Sequence, residues 1–212
     1  MRYGAFEGEQ LSPEAEEPMA RYGSEHKQVT RQRIIDAAGR RLKQDGIDGS
    51  GVATLMADAG LTNGAFYAHF DSKDDLVATV VGDQLDRQAL EFSELPGGSE
   101  GLTAFVGEYL SPAHRDHPEV GCPSAALLDE LGRGTDATKR AYTTGTTAIL
   151  DEIAARLKPD DPDSAKGTAL ALFTMLVGSM QLARAVDDKE LSDTVLEQGV
   201  RNAHALIRGG AT

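Results

Sequence analysis

Residues 60–70, GLTNGAFYAHF, decide the fold because they place a turn, a helix start and apolar anchors within one short span. Gly60 suits the left-handed conformation that ends many helices, and Thr62 is a favoured N-cap residue for a following helix. The apolar residues recur at helical spacing: Leu61, Phe66 and Phe70. The segment therefore predicts a tight turn followed by a short helix over residues 62–69 that is anchored on one side.

Two helices are predicted before this turn. The first covers residues 26–44, carries an apolar stripe and ends at the Asp45-Gly46 pair. The second is short, with Ser50 as its N-cap and Gly60 as its stop. Together with the helix after the turn, they make a three-helix helix-turn-helix unit.

The rest of the chain also has helical periodicity. Ser72 and Asp75 have the spacing of a capping box, which predicts a long helix to about residue 95. No segment shows the sustained alternation that is typical of strands. Further helices are predicted over residues 99–110, 123–131, 136–157, 164–186 and 190–207, with breaks that include residues 96–98 and 114–121. The predicted fold class is all-α, with the helix-turn-helix unit followed by a larger helical domain.

Charge is distributed unevenly along the chain. Its 21 basic and 34 acidic residues give a formal charge of -13, so the whole chain should repel polyanions. Residues 1–25 are acidic without apolar periodicity, which predicts a disordered tail. Residues 26–73 hold seven basic and five acidic residues, whereas residues 74–212 hold 12 and 23. Only the middle block can therefore approach phosphate without an electrostatic penalty.

Several classes of protein are disfavoured by composition and motif content. The single cysteine, Cys122, rules out an internal disulfide and fits a reducing cytoplasm. We expect no secretory signal and no membrane span, because the most apolar run, residues 169–183, is shorter than the roughly 20 residues a span requires. His114 and His117 have metal-like spacing without a further ligand cluster, so we interpret them as surface residues. No nucleotide-binding, hydrolase or metalloprotease motif is found, and we expect neither an enzyme nor a cofactor.

The outward side of the helix over residues 62–69 has the chemistry to contact DNA. Asn63, Gly64 and Ala65 combine an amide, near-bare backbone and a methyl group, which suit base edges in a major groove. Hydroxyl, phenol, imidazole and ammonium groups suit phosphate oxygens, and they come from Thr62, Tyr67, His69 and Lys73. The residues alone leave a second interpretation open, in which this is a short core helix that caps a cleft.

A series of motifs runs through residues 30–80: Ile34-Ile35-Asp36-Ala37-Ala38, Gly46-Ile47, Val52, Leu55, Ala59-Gly60-Leu61-Thr62, Gly64, Tyr67-x-His69-Phe70 and Ser72-Lys73-Asp74-x-Leu76. This block closely resembles the amino-terminal DNA-binding domain of the tetracycline-repressor (TetR) family of transcriptional regulators. The resemblance implies an all-helical homodimer. Its amino-terminal domain, residues 26–73, would bind palindromic operator DNA, and its carboxy-terminal domain, residues 74–212, would supply the dimer interface and a small-molecule pocket.

The resemblance also implies roles for single residues. Base contacts fall to Asn63, Gly64 and Ala65, and contacts to the DNA backbone fall to Thr62, Tyr67, His69 and Lys73, with Thr54 a weaker candidate. The block departs from the family pattern at three positions: Met56 for the usual alanine, Arg41 for a common apolar residue, and Asn63 for a frequent lysine or arginine. These departures affect packing and leave the operator sequence open.

The carboxy-terminal half resembles the family only in architecture. The helix over residues 164–186 is apolar nearly all round, which predicts a four-helix dimer interface formed with the helix over residues 190–207 and their symmetry mates. A monomer core is the alternative. The predicted effector pocket is largely apolar, and its candidate residues are Phe105, Tyr109, Cys122, Leu127, Tyr142 and Phe173. Cys122 at a helix start is either a redox or electrophile sensor or a buried structural residue.

We therefore predict a ligand-responsive transcriptional repressor in the cytoplasm. It would bind palindromic operator DNA as a homodimer through the helix-turn-helix, and a small, largely apolar effector would release it. The rival hypothesis is a helical ligand-binding or scaffolding dimer that does not bind DNA, which the net charge of -13 favours.

Overall fold

The computed structural model describes residues 16–210, and every element in that range is a helix or a connection between helices. The α-helices are α1 Glu16–Asp45, α2 Val52–Asp58, α3 Lys73–Glu94, α4 Ser99–Tyr109, α5 Pro112–Asp116, α6 Pro123–Arg133, α7 Asp136–Leu157, α8 Pro162–Ala185 and α9 Lys189–Gly210. Two 3-10 helices complete the order: the reading helix, Asn63–Ala68, and a single turn, Pro118–Val120. The predicted all-α class is confirmed.

The first helix begins earlier than predicted. Residues 1–15 of the predicted disordered tail lie outside the described residues, and residues 16–25 form the first turns of α1. Glu16 and Glu17 suit a helix start because the helix dipole favours negative charge there. Pro18 is tolerated because an N–H in the first turn has no helical partner. Acidic, proline-containing sequence is therefore compatible with a helix at this position.

The turn between α2 and the reading helix is a Schellman motif. The Gly60 N–H donates to the Ala57 carbonyl and the Leu61 N–H to the Met56 carbonyl, both at 2.9 Å. Gly60 has a φ of 67°, in the left-handed region that favours glycine. The predicted helix stop is confirmed, and it directs the chain into the reading helix.

The two predicted caps have different outcomes. Ser72 caps α3 as expected, because its Oγ accepts a hydrogen bond from the Asp75 N–H at 3.1 Å. Ser50 does not cap α2. The N-cap is Gly51, and the buried Ser50 hydroxyl donates to the Gly46 carbonyl at 2.8 Å. Ser50 therefore closes the turn after α1 instead of beginning α2.

Two short elements lie where the sequence predicts a break over residues 114–121. They are α5 and the 3-10 turn Pro118–Val120, and each begins with a proline. Ser111 caps α5 by accepting a hydrogen bond from the His114 N–H at 3.2 Å. Because α5 is only five residues long, it has too few apolar positions to show a helical pattern.

An ion-pair cluster joins α1 to α2. The Arg41 guanidinium donates to both Asp58 carboxylate oxygens, at 2.7 and 3.1 Å, and to Asp45 at 2.9 Å. These bonds, with Asp58 the largest cause, raise the pKa of Arg41. The arginine that departs from the family pattern therefore makes a polar contact where an apolar residue would pack.

The centre of the body is the packing of α3 along α7, the most extensive between any two described helices. Gly145 on α7 is buried against Leu85 on α3, and a Cβ at position 145 would lie 2.4 Å from the Leu85 Cβ. The two helices therefore approach this closely only because position 145 has no side chain.

The apolar helix α8 is covered on one face only. Among the described residues it is the one helix long and apolar enough to pass a length-and-composition test for a membrane span. Its buried residues, which include Leu172 and Met180, lie on the face toward its neighbours α7 and α9. Leu170 and Leu182 remain about half exposed, at 51% and 52%. Packing within the chain explains the apolar composition of the first face but leaves the second without a partner.

Glu130 on α6 fastens the helix-turn-helix unit to the body. Its carboxylate accepts hydrogen bonds from the N–H groups of Ile47 at 2.8 Å and Asp48 at 3.1 Å, in the turn between α1 and α2. A Cβ at Gly46 would lie 2.8 Å from the same carboxylate. Charge-assisted hydrogen bonds therefore join α6 to the first domain.

Gly145→Ala should lower the free energy of unfolding by about 1–3 kcal/mol, because the added methyl group collides with Leu85. Gly107→Ala on α4 is the matched control, since a Cβ there meets no atom within 4 Å. It should raise stability by about 0.5–1 kcal/mol through helix propensity. Urea denaturation followed by circular dichroism measures both changes. Equal effects of the two substitutions would contradict the close contact of α3 and α7.

Glu130→Ala should lower the free energy of unfolding by about 2 kcal/mol, because it leaves two backbone N–H groups without their acceptor. Asp129→Ala should leave stability nearly unchanged, since that exposed carboxylate pairs only with Arg133 among the described residues. Amide hydrogen exchange at Ile47 and Asp48 should accelerate in the first variant alone. If exchange there is unaltered, Glu130 does not hold the turn.

Candidate functional site

The reading helix presents a polar, exposed side to solvent. Thr62 occupies its N-cap position, with φ of -80° and ψ of 152°, and its hydroxyl makes no capping hydrogen bond. Asn63 and Gly64 follow and are exposed, and 73% of the Tyr67 surface is exposed. The helix predicted over residues 62–69 is observed as a 3-10 helix of six residues, which is longer than most helices of this type.

Two phenylalanines hold the opposite side of the reading helix in the core. Phe66 is fully buried and Phe70 is 2% exposed, and their stacked rings lie 5.8 Å apart. The Arg31 guanidinium of α1 lies 4.6 Å from the Phe70 ring centroid and donates to the Thr79 hydroxyl of α3 at 3.3 Å. Phe66 and Phe70 are buried as the sequence predicts, and Leu61 is half-buried against the same core. The reading helix is therefore oriented by its buried side.

Two other predicted DNA contacts, Ala65 and Lys73, are less exposed to solvent. Ala65 is half-buried against the core. Lys73 is half-buried, and its ammonium donates to the Ile47 carbonyl at 2.5 Å, which ties the start of α3 to the turn after α1. Thr54 is exposed on α2. Lys73 thus has a structural hydrogen bond in addition to the phosphate contact assigned to it by resemblance.

His69 lies at the edge of the same surface. It is half-buried, and its Nδ1 has no hydrogen-bond partner among the described residues. Burial, and then the positive charges of Lys27 and Arg31, lower the pKa of His69. The ring is therefore neutral at physiological pH and acts as a hydrogen-bonding group.

Lys27 is a candidate DNA contact that the sequence reasoning missed. It is exposed on α1, makes no ion pair with any described residue, and lies close enough to His69 to affect its titration. An unpaired ammonium beside the reading helix suits a phosphate oxygen. Because Lys27 and His69 are far apart in the sequence, only the packing of α1 behind the reading helix brings them together.

A cleft of about 700 Å³ lies between α1, α3, α4 and the connection from α5 to α6. Three of the predicted effector residues line it: Phe105, Tyr109 and Cys122. The other three do not. Leu127 and Phe173 are buried in the core, and the half-buried Tyr142 donates its hydroxyl to the Ser124 Oγ at 3.1 Å. Only half of the residues predicted for the effector pocket therefore line the observed cleft.

The cleft differs from the predicted pocket in its charge. Charged side chains line it beside the aromatic ones: Asp36, Arg40, Lys43, Asp83, Arg87, Glu91, Glu108 and Glu119. Arg87 is neutralised within the wall, because it lies 2.7 Å from Asp36 and 3.1 Å from Asp83. These residues project from α1, α3, α4 and the 3-10 turn, so no local sequence motif contains them all.

His114 belongs to the lining of this cleft, which corrects its interpretation as a surface residue. Its Nδ1 lies 2.7 Å from the Tyr109 carbonyl, and its Nε2 accepts from the Cys122 N–H at 3.1 Å. Since a carbonyl oxygen only accepts, Nδ1 carries the proton and the ring is neutral. Burial lowers the pKa of His114, in agreement. His117 is exposed as expected and lies 3.2 Å from the Glu119 carboxylate.

Cys122 is a buried residue at the N-cap of α6. It is 5% exposed, and its thiol donates to the Gln88 side-chain oxygen at 3.4 Å. The described residues contain no group of three or more His, Cys, Asp or Glu side chains that could hold a metal ion. The burial favours a structural role for Cys122.

Sequence comparisons find relatives of this chain among transcriptional regulators. Residues 34–80 match the family model described as bacterial regulatory proteins, tetR family. An uncharacterised HTH-type transcriptional regulator of Mycobacterium tuberculosis is 26% identical over 179 residues, covering 81% of this chain and 92% of that protein. The uncharacterised HTH-type regulator TtgW of Pseudomonas putida is 31% identical over 96 residues, covering 45% of this chain and 72% of TtgW.

A solved structure has the same fold. The reduced form of E. coli NemR superposes with a TM-score of 0.71 at 17% sequence identity, over 82% of this chain and 95% of NemR. The likeness extends beyond the helix-turn-helix into the helical body.

Proposed function

The chain belongs to the tetR family of bacterial regulatory proteins, and from this premise we propose that it is a transcriptional repressor released from operator DNA by a small molecule. Regulators of this family bind operator DNA, typically as dimers, and are not enzymes. The main support for the proposal is the exposure of Asn63 and Tyr67 on the reading helix, whose opposite side is held by the buried Phe66. We also propose a cytoplasmic location, where DNA is accessible.

In the proposed complex the reading helix enters the major groove. Asn63, Gly64 and Ala65 face base edges, and an amide that both donates and accepts suits adenine. Phosphate oxygens are contacted by the exposed Thr62 and Tyr67, and by further groups around the reading helix: Thr54, His69, Lys73 and Lys27. Phosphate contacts set the position on the duplex, and the base contacts supply specificity.

The proposed dimer interface is the uncovered side of α8 together with α9. Leu170 and Leu182 on α8 are about half exposed, and Leu191 on α9 is 48% exposed. Gly178 is exposed between the two α8 leucines, and a Cβ there meets no atom within 4 Å. A two-fold axis at this surface would pack α8 and α9 against their copies as a four-helix unit.

Release of DNA is proposed to operate through α3. This helix follows the reading helix directly, and further along it Gln84 and Gln88 line the cleft. A ligand that shifts α3 changes the separation of the two reading helices in a dimer. Operator half-sites lie about 34–36 Å apart or at multiples of that distance, so a mismatch of a few ångströms lowers affinity. Ligand and DNA then favour different arrangements of the same dimer.

The alternative, a ligand-binding or scaffolding dimer without DNA affinity, has the net charge of -13 in its favour. The distribution of that charge counters it. Lys27 lies near the exposed side of the reading helix and Arg31 behind its Phe70 anchor, whereas most of the acidic excess lies after residue 73. An acidic body that repels DNA elsewhere would confine binding to the reading helix.

DNA sequences selected by the protein from a random pool provide the direct test. Asn63→Ala should weaken binding of the selected sequence by about 10- to 100-fold and relax its preference at one position. Lys27→Ala should weaken all sequences alike and reduce the salt dependence by about one phosphate contact. Lys139→Ala on α7 removes an exposed charge away from the reading helix and is the charge-matched control. It should change neither the affinity for DNA nor its salt dependence. Gel-shift titrations at several salt concentrations measure both quantities. Unchanged binding by the double variant of Asn63 and Tyr67 would refute the proposed DNA interface.

Leu170→Glu combined with Leu182→Glu should convert the protein from a dimer to a monomer, because it buries two carboxylates in the proposed interface. Sedimentation equilibrium should give twice the chain mass of 22.5 kDa for the wild type and the single mass for the variant. Leu90→Glu on α3, which is 58% exposed away from α8 and α9, should remain dimeric. A dimer that survives the double substitution places the interface elsewhere.

A further inference from the structure

The cleft contains a half-buried lysine that forms no ion pair with a described residue. Lys43 on α1 is half-buried, and its ammonium donates to the Gly121 carbonyl at 2.7 Å. An ammonium has three donors, so two remain beyond this bond. No described carboxylate lies within ion-pair distance of Lys43, although acidic side chains line the same cleft.

A second cation makes this region more positive. Arg184 of α8 is half-buried. Its guanidinium donates hydrogen bonds to the backbone carbonyls of Arg115, Ala125 and His114, at 3.1, 3.2 and 2.6 Å. It therefore adds positive charge near Lys43, and it forms no ion pair with a described carboxylate, although Glu119 attracts it from a longer distance. The neighbouring His114 ring is neutral and therefore does not change the charge of this region.

Burial makes the charge of Lys43 costly. Desolvation is the largest cause that lowers the pKa of Lys43 from 10.5 to about 8, and Arg184 and Arg40 act in the same direction. Cys122 and, to a smaller extent, Glu119 act in the opposite direction and offset this lowering only in part. A bound anion would remove the imbalance.

The rest of the cleft suits an apolar body of moderate size. Phe105 and Tyr109 form an aromatic wall, with ring centroids 5.6 Å apart. The volume of about 700 Å³ falls within the usual range for small-molecule sites. At the rim, the exposed Glu91 and Glu108 make no ion pair with described residues and disfavour a second negative charge on the ligand. The cleft therefore combines one half-buried ammonium without an ion pair, an aromatic wall and exposed carboxylates.

We propose that this cleft binds an organic monoanion, such as an aromatic carboxylate, whose carboxylate pairs with Lys43 while its apolar body lies against Phe105 and Tyr109. That this ligand is the effector rests on the proposed function. The anion replaces the largely apolar effector expected from the sequence. Because Lys43 belongs to α1, the ligand contacts the DNA-binding domain and the body at once.

Calorimetric titration with 2-naphthoate, and with the neutral 2-naphthamide as its matched probe, tests the charge requirement. The wild-type protein should bind the naphthoate at least about tenfold more tightly than the amide. Lys43→Met should lose at least about tenfold in naphthoate affinity and leave amide binding unaltered. Lys43→Arg retains the charge and should keep most of the affinity. Lys139→Met removes an exposed charge outside the cleft and should behave as the wild type.

Circular dichroism melting of each variant separates loss of binding from loss of fold. Equal binding of the two probes, undiminished naphthoate binding by Lys43→Met, or no naphthoate binding at all would overturn the anion site. DNA binding is measured separately on the same protein preparations, with the selected sequence and without naphthoate or naphthamide. DNA binding without naphthoate binding would refute this inference alone, whereas naphthoate binding through Lys43 without DNA binding would refute the proposed repressor and leave the anion site standing.

Discussion

Burial of Phe66 and Phe70 is the interaction on which the rest of the structure depends. The two rings hold the reading helix in the core, with Phe70 beside Arg31 of α1, and their burial leaves the opposite side to solvent. A six-residue 3-10 helix has too few hydrogen bonds to be stable alone, so its orientation comes from these side chains. The exposure of Asn63 and Tyr67 is the direct consequence.

Polar contacts join the helix-turn-helix unit to the body in addition to the apolar core that the two share. Glu130 binds the turn after α1, and Lys43 binds the Gly121 carbonyl. Hydrogen bonds of this kind are directional, so a small shift of α6 or of residue 121 displaces α1 directly. The cleft lies beside the Lys43 contact, and the ligand proposed for it would act on the connection between the helix-turn-helix unit and the body.

Charge separates the molecule into a region that tolerates DNA and a region that repels it. Most of the acidic excess lies after residue 73, whereas Lys27 and Arg31 lie beside the reading helix. This arrangement reconciles a formal charge of -13 with a DNA-binding role. The same principle acts on a smaller scale in the cleft, where paired charges such as Arg87 with Asp36 largely cancel and the field comes from side chains such as Lys43, Glu91 and Glu108 that make no ion pair with described residues.

The sequence by itself determined the helical class, the Gly60 stop, the Ser72 cap and the buried side of the reading helix, because each depends on residues within a few positions of one another. It misassigned Ser50 and His114 although their partners Gly46 and Tyr109 are only four and five residues away, because the conformation of the turn decides which nearby backbone group each side chain reaches. Only the tertiary structure brought Lys27 to His69 and gathered Lys43, Tyr109 and Cys122 around one cleft. Contacts between distant helices depend on how whole faces pack, and no local pattern of residues encodes that distance.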